Sequence, residues 1–246
     1  MRHTSICIFI SAMLVGNLSA QRRSAAEILK SIDDIRAPGS NFAFDLTVVS
    51  TPKGKNPTTQ KFSVAVKDLT KSLVRFTDPP ENRGRVLLMV GQNLWIQIPS
   101  TNQPVRISPQ QRLLGQVSNG DVARVVYSFD YEPTIKDLAS SIEGTACNEL
   151  ELTAKTQDAT YAKILLWADA ANNRPLKAEF YSSDGRLLKT AVYKNYEHVI
   201  GKARPMRIEI SDAIHVGDFT TLDETNLRIA NQPASDFEKD NLKYVH

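Results

Sequence analysis

Five times between residues 42 and 98 a short run of apolar side chains at alternate positions is cut off by a turn. Phe42, Phe44, Leu46 and Val48 share one parity, and Asn41, Ala43, Asp45 and Thr47 take the other. After the polar loop Pro52-Lys53-Gly54-Lys55-Asn56-Pro57, Phe62, Val64 and Val66 repeat the pattern against Lys61, Ser63 and Lys67. Val74-Arg75-Phe76 stops at Asp78-Pro79-Pro80, and the apolar run from Val86 to Val90 stops at Gly91. Leu94, Ile96 and Ile98 alternate with Trp95 and Gln97 before Pro99. A period of two marks a strand with one buried face. Proline removes a backbone donor and glycine tolerates positive φ, so these stops end strands. Hairpins that follow one another without long helices between them exclude a parallel α/β sheet.

The second half carries the same signature. The run from Glu149 to Thr153 alternates, Ala162 to Ala168 reads as a more fully buried strand, and Asn172-Asn173-Arg174-Pro175 turns the chain into Leu176 to Tyr181. Ser183-Asp184-Gly185-Arg186 is a hairpin signal, since Asp-Gly suits a turn with positive φ. Leu188, Thr190 and Val192 follow, then Arg207 to Ser211, a strand near Phe219 to Leu222, and a short segment over Ser235 to Val245. These patterns predict roughly ten to twelve strands and two or three short helices. One helix opens the chain: Ser24-Ala25-Ala26-Glu27 is a capping box, and Ile28, Leu29, Ile32 and Ile35 follow at helical spacing before Pro38-Gly39. Residues 108–119 lose the alternation, leaving Leu113-Leu114 with no strand around it. Asp121 can cap a short helix bearing Val122, Val125, Val126 and Tyr127. A lid and an ordinary core-capping helix both fit this segment.

Residues 1–20 have the form of a secretory leader. A basic Met1-Arg2-His3 precedes an apolar run and the small-residue site Leu18-Ser19-Ala20, so cleavage is expected near Ala20/Gln21. Cys7 lies inside the apolar run, which leaves Cys147 as the single thiol of residues 21–246 and permits no internal disulfide. Ala146-Cys147-Asn148 reads as a core position. Residues 21–246 are expected to form one domain held by core burial, the full sequence being 41% apolar. The net charge of +3 is evenly mixed, with no basic run dense enough for nucleic acid.

The inventory for catalysis is thin. His198 and His215 have no second histidine or cysteine at metal-ligand spacing, and His3 and His246 sit at the ends. There is no G-x-S-x-G, Walker or G-x-G-x-x-G motif, so no cofactor is expected. The Asp33-Asp34 pair falls on the polar face of the first helix and is read as solvated. An exported, curved sheet with a helix against its concave face can leave an apolar cavity instead, since a barrel not filled by side chains holds lipid-like ligands; the same pattern fits a plain structural sandwich equally well. Inward parity nominates Phe42, Phe44, Leu46, Phe62, Val64, Val66, Phe76, Leu88, Leu94, Ile96 and Trp167 as cavity lining. A one-residue slip would invert that assignment.

Motifs in order along the chain then resemble a known family. Val74-Arg75-Phe76 with Pro79, Arg83-Gly84 before an apolar strand, Leu94-Trp95 with Pro99, Val105-Arg106-Ile107, and a glycine-bearing loop to Asp121-Val122-Ala123 occupy the first half. Tyr161-Ala162-Lys163, Pro175-Leu176-Lys177, Asp184-Gly185-Arg186-Leu187-Leu188-Lys189 and Arg204-Pro205-Met206-Arg207 continue in the second. Together they resemble the outer membrane lipoprotein-sorting proteins, the longer branch of the LolA/LolB-like periplasmic carriers. The resemblance implies a mainly β (α+β) fold in which a large curved antiparallel sheet forms an incomplete β-barrel closed by short helices. It implies an apolar cavity for the acyl chains of a lipoprotein or lipid, a monomer in the periplasm, and hand-over from an inner-membrane exporter to an outer-membrane acceptor. It also implies a lid tied by an arginine, for which Arg75 and then Arg83 are the nearest candidates, with Leu113, Leu114, Val122, Val125 and Val126 on the lid itself. Arg75 fits a solvent-facing strand charge equally well. An envelope scaffold or regulator of the same fold, sensing lipoproteins without transferring them, is the alternative function.

Overall fold

The computed structural model describes residues 23–245; the expected leader and cleavage site lie outside the described residues. The capping box forms as written in the sequence: the Ser24 N–H donates to Glu27 Oε2 at 2.7 Å, and the Glu27 N–H donates to Ser24 Oγ at 3.3 Å. Helix α1 (Ala25–Arg36) follows, burying Ile28, Leu29, Ile32 and Ile35. Its C-terminal carbonyls are held from across the molecule. The Arg204 guanidinium donates to the Asp34 carbonyl at 3.0 Å and also reaches the Ile35 carbonyl. A cation there also complements the helix dipole.

Six strands come next: β1 (Phe42–Thr51), β2 (Thr58–Lys67), β3 (Lys71–Asp78), β4 (Val86–Val90), β5 (Asn93–Gln97) and β6 (Val105–Ile107). A small hairpin, β7 (Arg112–Leu114) with β8 (Val117–Ser118), leads into helix α2 (Asn119–Ala123). Seven longer strands complete the set: β9 (Tyr131–Ile142), β10 (Thr145–Ala154), β11 (Lys163–Asp169), β12 (Pro175–Tyr181), β13 (Leu187–Val199), β14 (Lys202–Asp212) and β15 (Phe219–Ile229). Two 3-10 turns, Ala234–Phe237 and Lys239–Tyr244, follow β15.

Thirteen strands form one antiparallel sheet in the order β6-β5-β4-β3-β2-β1-β15-β14-β13-β12-β11-β10-β9. It is two meanders of sequence neighbours, joined where β1 pairs with β15 and Val48 lies opposite Leu222. β6 and β9 remain edges, so the sheet does not close. α1 packs on β9 and β14, and α2 on β3 and β4, which places both helices inside the curve.

The inner face carries the main core: Phe42, Phe44, Leu46, Phe62, Val64, Val66, Val74 and Phe76 meet the helices there. A second core lies on the outer face, where Phe237, Leu242 and Val245 cover Ala43, Ala65, Leu73, Val86 and Leu88. Burial on both faces explains why β4 reads as an unbroken apolar run, Val-Leu-Leu-Met-Val.

Two of the lining assignments are corrected by the burial of β4 and β11. In β4 it is Leu87 and Met89 that face inward, so Leu88 belongs to the outer cluster. In β11 Ile164, Leu166 and Ala168 face inward, and Trp167 turns out, with the Lys177 ammonium 4.7 Å from its ring centre. Both are the one-residue slip that period-two patterns invite when neither face is polar. The expected helix from Asp121 is also displaced. Its N-cap is Ser118, Asp121 is the third residue closing the box, and the helix ends at Ala123, leaving Val125, Val126 and Tyr127 beyond it in irregular chain. Leu113 and Leu114 sit in β7, not in a strandless loop. β9 had no recognisable alternation because it is an edge strand, exposed along most of its length.

Candidate functional site

The space inside the curve is largely filled. Two adjoining voids remain, each about 40 Å³. One lies between the end of α1, α2 and strands β1, β14 and β15, walled by Ile35, Phe44, Leu46, Val122, Leu222 and Leu227. The other continues toward β13 between Tyr127, Tyr161, Phe180 and Tyr193. Arg36, Asp121, Arg124 and Tyr193 border both. Pockets that bury a drug-sized ligand run to about 300–1,000 Å³. Neither void therefore takes an acyl chain unless the segments around it move. A larger groove of about 710 Å³ lies beside residues 154–162, where Lys155, Thr156, Gln157, Ser182 and Ser183 mix with Ala154, Ala159, Ala162 and Leu188.

What closes the interior is the segment from β7 to Tyr127, and it is fastened at separate points around the rim. Ser72 Oγ of β3 donates to the Ala123 carbonyl at 2.6 Å. The Arg124 guanidinium pairs with Asp130 at 2.6 Å and also reaches the Gly91 carbonyl in the β4–β5 turn. Asp33 of α1 accepts from the Tyr127 and Ser128 N–H groups at 2.8 and 2.9 Å. At the N-terminus of α2, Asp121 accepts from the Ser118 N–H at 2.7 Å and from Tyr161 Oη at 2.9 Å, and is ion-paired with Lys189 of β13. Lys189 is buried, and the resulting desolvation lowers its pKa against the opposing pull of Asp121. Removing one partner of such a buried pair costs about 3–5 kcal/mol.

Close packing sets the cover's position. Gly120 lies so near the Thr160 side chain that a Cβ there would collide with it. Gly115, at φ +54°, packs equally tightly on Ser50 and Thr220. Both glycines are fitted to this closed arrangement.

The polar groups inside the curve are unevenly matched. Arg36 stacks on the Tyr127 ring, its guanidinium carbon 4.1 Å from the ring centre. Glu224 of β15 faces the same void, and desolvation pushes its carboxyl up to about 7 despite the pull of Arg36 and Arg204. Tyr127 and Tyr193 share a hydroxyl hydrogen bond of 2.8 Å. Asp33, expected to be solvated, is instead buried, and desolvation raises its pKa although it accepts two backbone N–H bonds. Asp34 is the exposed member, paired with Lys30 at 3.2 Å.

Of the lining candidates, Phe42, Phe44, Leu46, Phe62, Val64, Val66, Phe76, Leu94 and Ile96 all face the inner core, but only Phe44 and Leu46 touch a void. Leu113, Leu114, Val122, Val125 and Val126 lie on the cover and pack on that core. The arginines do not tie it. Arg75 is out of phase with Val74 and Phe76, so it faces outward and meets Asp236 at 3.5 Å. Arg83 is exposed beyond β3, donating to the Thr77 carbonyl at 2.8 Å. The polar residues that sequence reasoning missed had a signal. Lys189 is in phase with Ala191 and Tyr193, and Glu224 with Thr220 and Leu222, so each is a charge at an inward parity.

His198 lies on β13 and His215 in the β14–β15 turn, 3.1 Å from Asp212. Among the described residues no group of three or more His, Cys, Asp or Glu is placed to hold a metal ion. No described helix is long and apolar enough to cross a membrane.

An open antiparallel sheet curved around two short helices, with a fastened segment over its inner face, defines a LolA-like protein. A LolA superfamily protein from Nitrosomonas europaea superposes with a TM-score of 0.85 and 38% identity, over 89% of this chain and 99% of its own. A putative outer membrane lipoprotein-sorting protein domain from Vibrio parahaemolyticus gives a TM-score of 0.74 at 22% identity, over 89% of this chain and 98% of its own. A DUF1329 family protein from Desulfovibrio piger gives 0.75 at 21%, over 89% and 97%. A family model described as "Uncharacterized protein" matches residues 68–244. No curated protein matches the chain. The chain belongs to the LolA superfamily.

Proposed function

We propose that this protein is a periplasmic, non-enzymatic carrier. In this reading residues 21–246 form one domain that takes acyl chains of a lipoprotein or lipid beneath residues 108–127 and releases them toward the outer membrane. An inner-membrane exporter and an outer-membrane acceptor would be its partners. The observation that carries the reading is the division of the interior into an apolar wall, including Phe44, Leu46, Phe62 and Phe76, and a cover held by discrete polar fastenings. Lifting such a cover exposes apolar surface without breaking the sheet. A buried chain then contributes about 0.8 kcal/mol per methylene, so a long acyl chain can offset the lost fastenings. The likeness to a putative lipoprotein-sorting domain supports the same direction.

Native mass spectrometry of gently purified protein, followed by titration with a fluorescent fatty acid, tests the proposal. A co-purifying lipid mass or saturable uptake is expected. Absence of both ends the carrier reading. One observation favours the alternative, an envelope scaffold that transfers nothing: the voids are only about 40 Å³ each. That reading requires a stable protein partner in membrane pull-downs and no lipid transfer between vesicles.

A further inference from the structure

Arg36 projects from the inner side of the last turn of α1 and borders both voids. Its Nη1 is buried without a hydrogen-bond partner, and among the described residues the guanidinium makes no ion pair. Stacking on Tyr127 occupies the face of the group but not its N–H edge. A buried cationic donor left unmatched is costly, so its partner is worth seeking.

The neighbours do not supply one. Both Asp33 oxygens are taken by the Tyr127 and Ser128 N–H groups. Arg204, the other cation at this void, is committed to the carbonyls of Val199, Asp34 and Ile35. Glu224 faces the void without pairing to Arg36, and desolvation raises its proton affinity. A protonated Glu224 can donate a hydrogen bond, which a second carboxylate between it and Arg36 would accept. Asp121 on the far side is already paired with Lys189, and Arg124 with Asp130. Phe44, Leu46, Val122, Val125, Leu222 and Leu227 supply the apolar wall. A void of about 40 Å³ is the size of a small head group rather than a chain.

We propose that the site takes a carboxylate-headed amphiphile head first, with Arg36 gripping the carboxylate and the chain running out beneath α2 past Val122 and Val125. This rests on the carrier reading and narrows its cargo. The ester- and amide-linked chains of a lipidated protein present no anion to Arg36, whereas a long-chain fatty acid, the simplest member of the class, does. The grip is a charge-assisted pair in a water-poor site, where planar guanidinium matches carboxylate.

The test compares 11-(dansylamino)undecanoic acid with its methyl ester on the full protein, by fluorescence titration. The acid is expected to bind at least about tenfold more tightly than the ester. Arg36→Met should remove most of that preference, with its urea midpoint reporting whether the fold is intact. Arg36→Lys should retain part of the preference, and decides the matter if the methionine variant does not fold. Equal binding of acid and ester overturns the head-group assignment and leaves the carrier reading standing. A preference that survives in Arg36→Met overturns the role of Arg36. If neither probe binds, the carrier reading and this inference fall together.

Discussion

Glu224 on β15 borders the void, and its carboxyl is raised from 4.5 to about 7 by desolvation that outweighs the pull of Arg36 and Arg204. Between those values the unfolded chain has released the proton and the folded chain still holds it. This group therefore erodes stability as pH rises through that window, and the loss is complete above it. Glu224→Gln should remove the effect, gaining on the order of 2 kcal/mol over the native protein at pH 8 and almost nothing at pH 4.5. Urea midpoints at the two pH values measure it; an identical difference at both would refute the assignment. Lys189 is the opposite case, a buried cation whose charge is kept by Asp121. Lys189→Met leaves that carboxylate without its cation and should cost about 3 kcal/mol. Amide exchange should rise first in residues 117–127, and a uniform rise across all strands would mean that the pair holds the fold rather than the cover.

Helix α2 shows how much a short element depends on what surrounds it. It is a five-residue helix, too short to stand alone, and exists because Ser118 and Asp121 close a capping box while Ser72 holds its last carbonyl. Gly120→Val pushes a side chain into Thr160 and should lift the helix, at a cost of about 1–3 kcal/mol. Faster uptake of the fluorescent fatty acid is the expected readout; slower or unchanged uptake would separate α2 from the access route. This element also marks the limit of what the sequence discloses. α1 was legible to within a residue because its cap, its apolar spacing and its proline stop all agree. The hairpins were legible because alternation and turn chemistry coincide. Parity failed in β4 and β11, where Leu88 and Trp167 are apolar residues facing out, and only the tertiary cover tells one face from the other. The cover's fastenings are contacts between residues far apart in the chain, such as Asp33 with Tyr127, which no local pattern contains.

The whole molecule is a sheet used on both sides. Its inner face meets the helices, and part of its outer face is sealed by the C-terminal turns through Phe237, Leu242 and Val245. Leu242 is almost fully buried, so Leu242→Asp would place a carboxylate against Leu73 and Leu88 and should cost about 3–5 kcal/mol. A urea midpoint close to that of the native protein would show the outer cover to be dispensable. The junction of β1 with β15 has a different kind of consequence. Every other pairing in the large sheet joins strands adjacent in the chain, so each can zip locally, whereas this one spans nearly the full sequence. High sequence separation makes such closure slow. Until β15 arrives, the first meander keeps an open edge on β1 that any other extended chain can copy. A molecule interrupted before its last strand would thus be two sticky half-sheets rather than a smaller version of the whole.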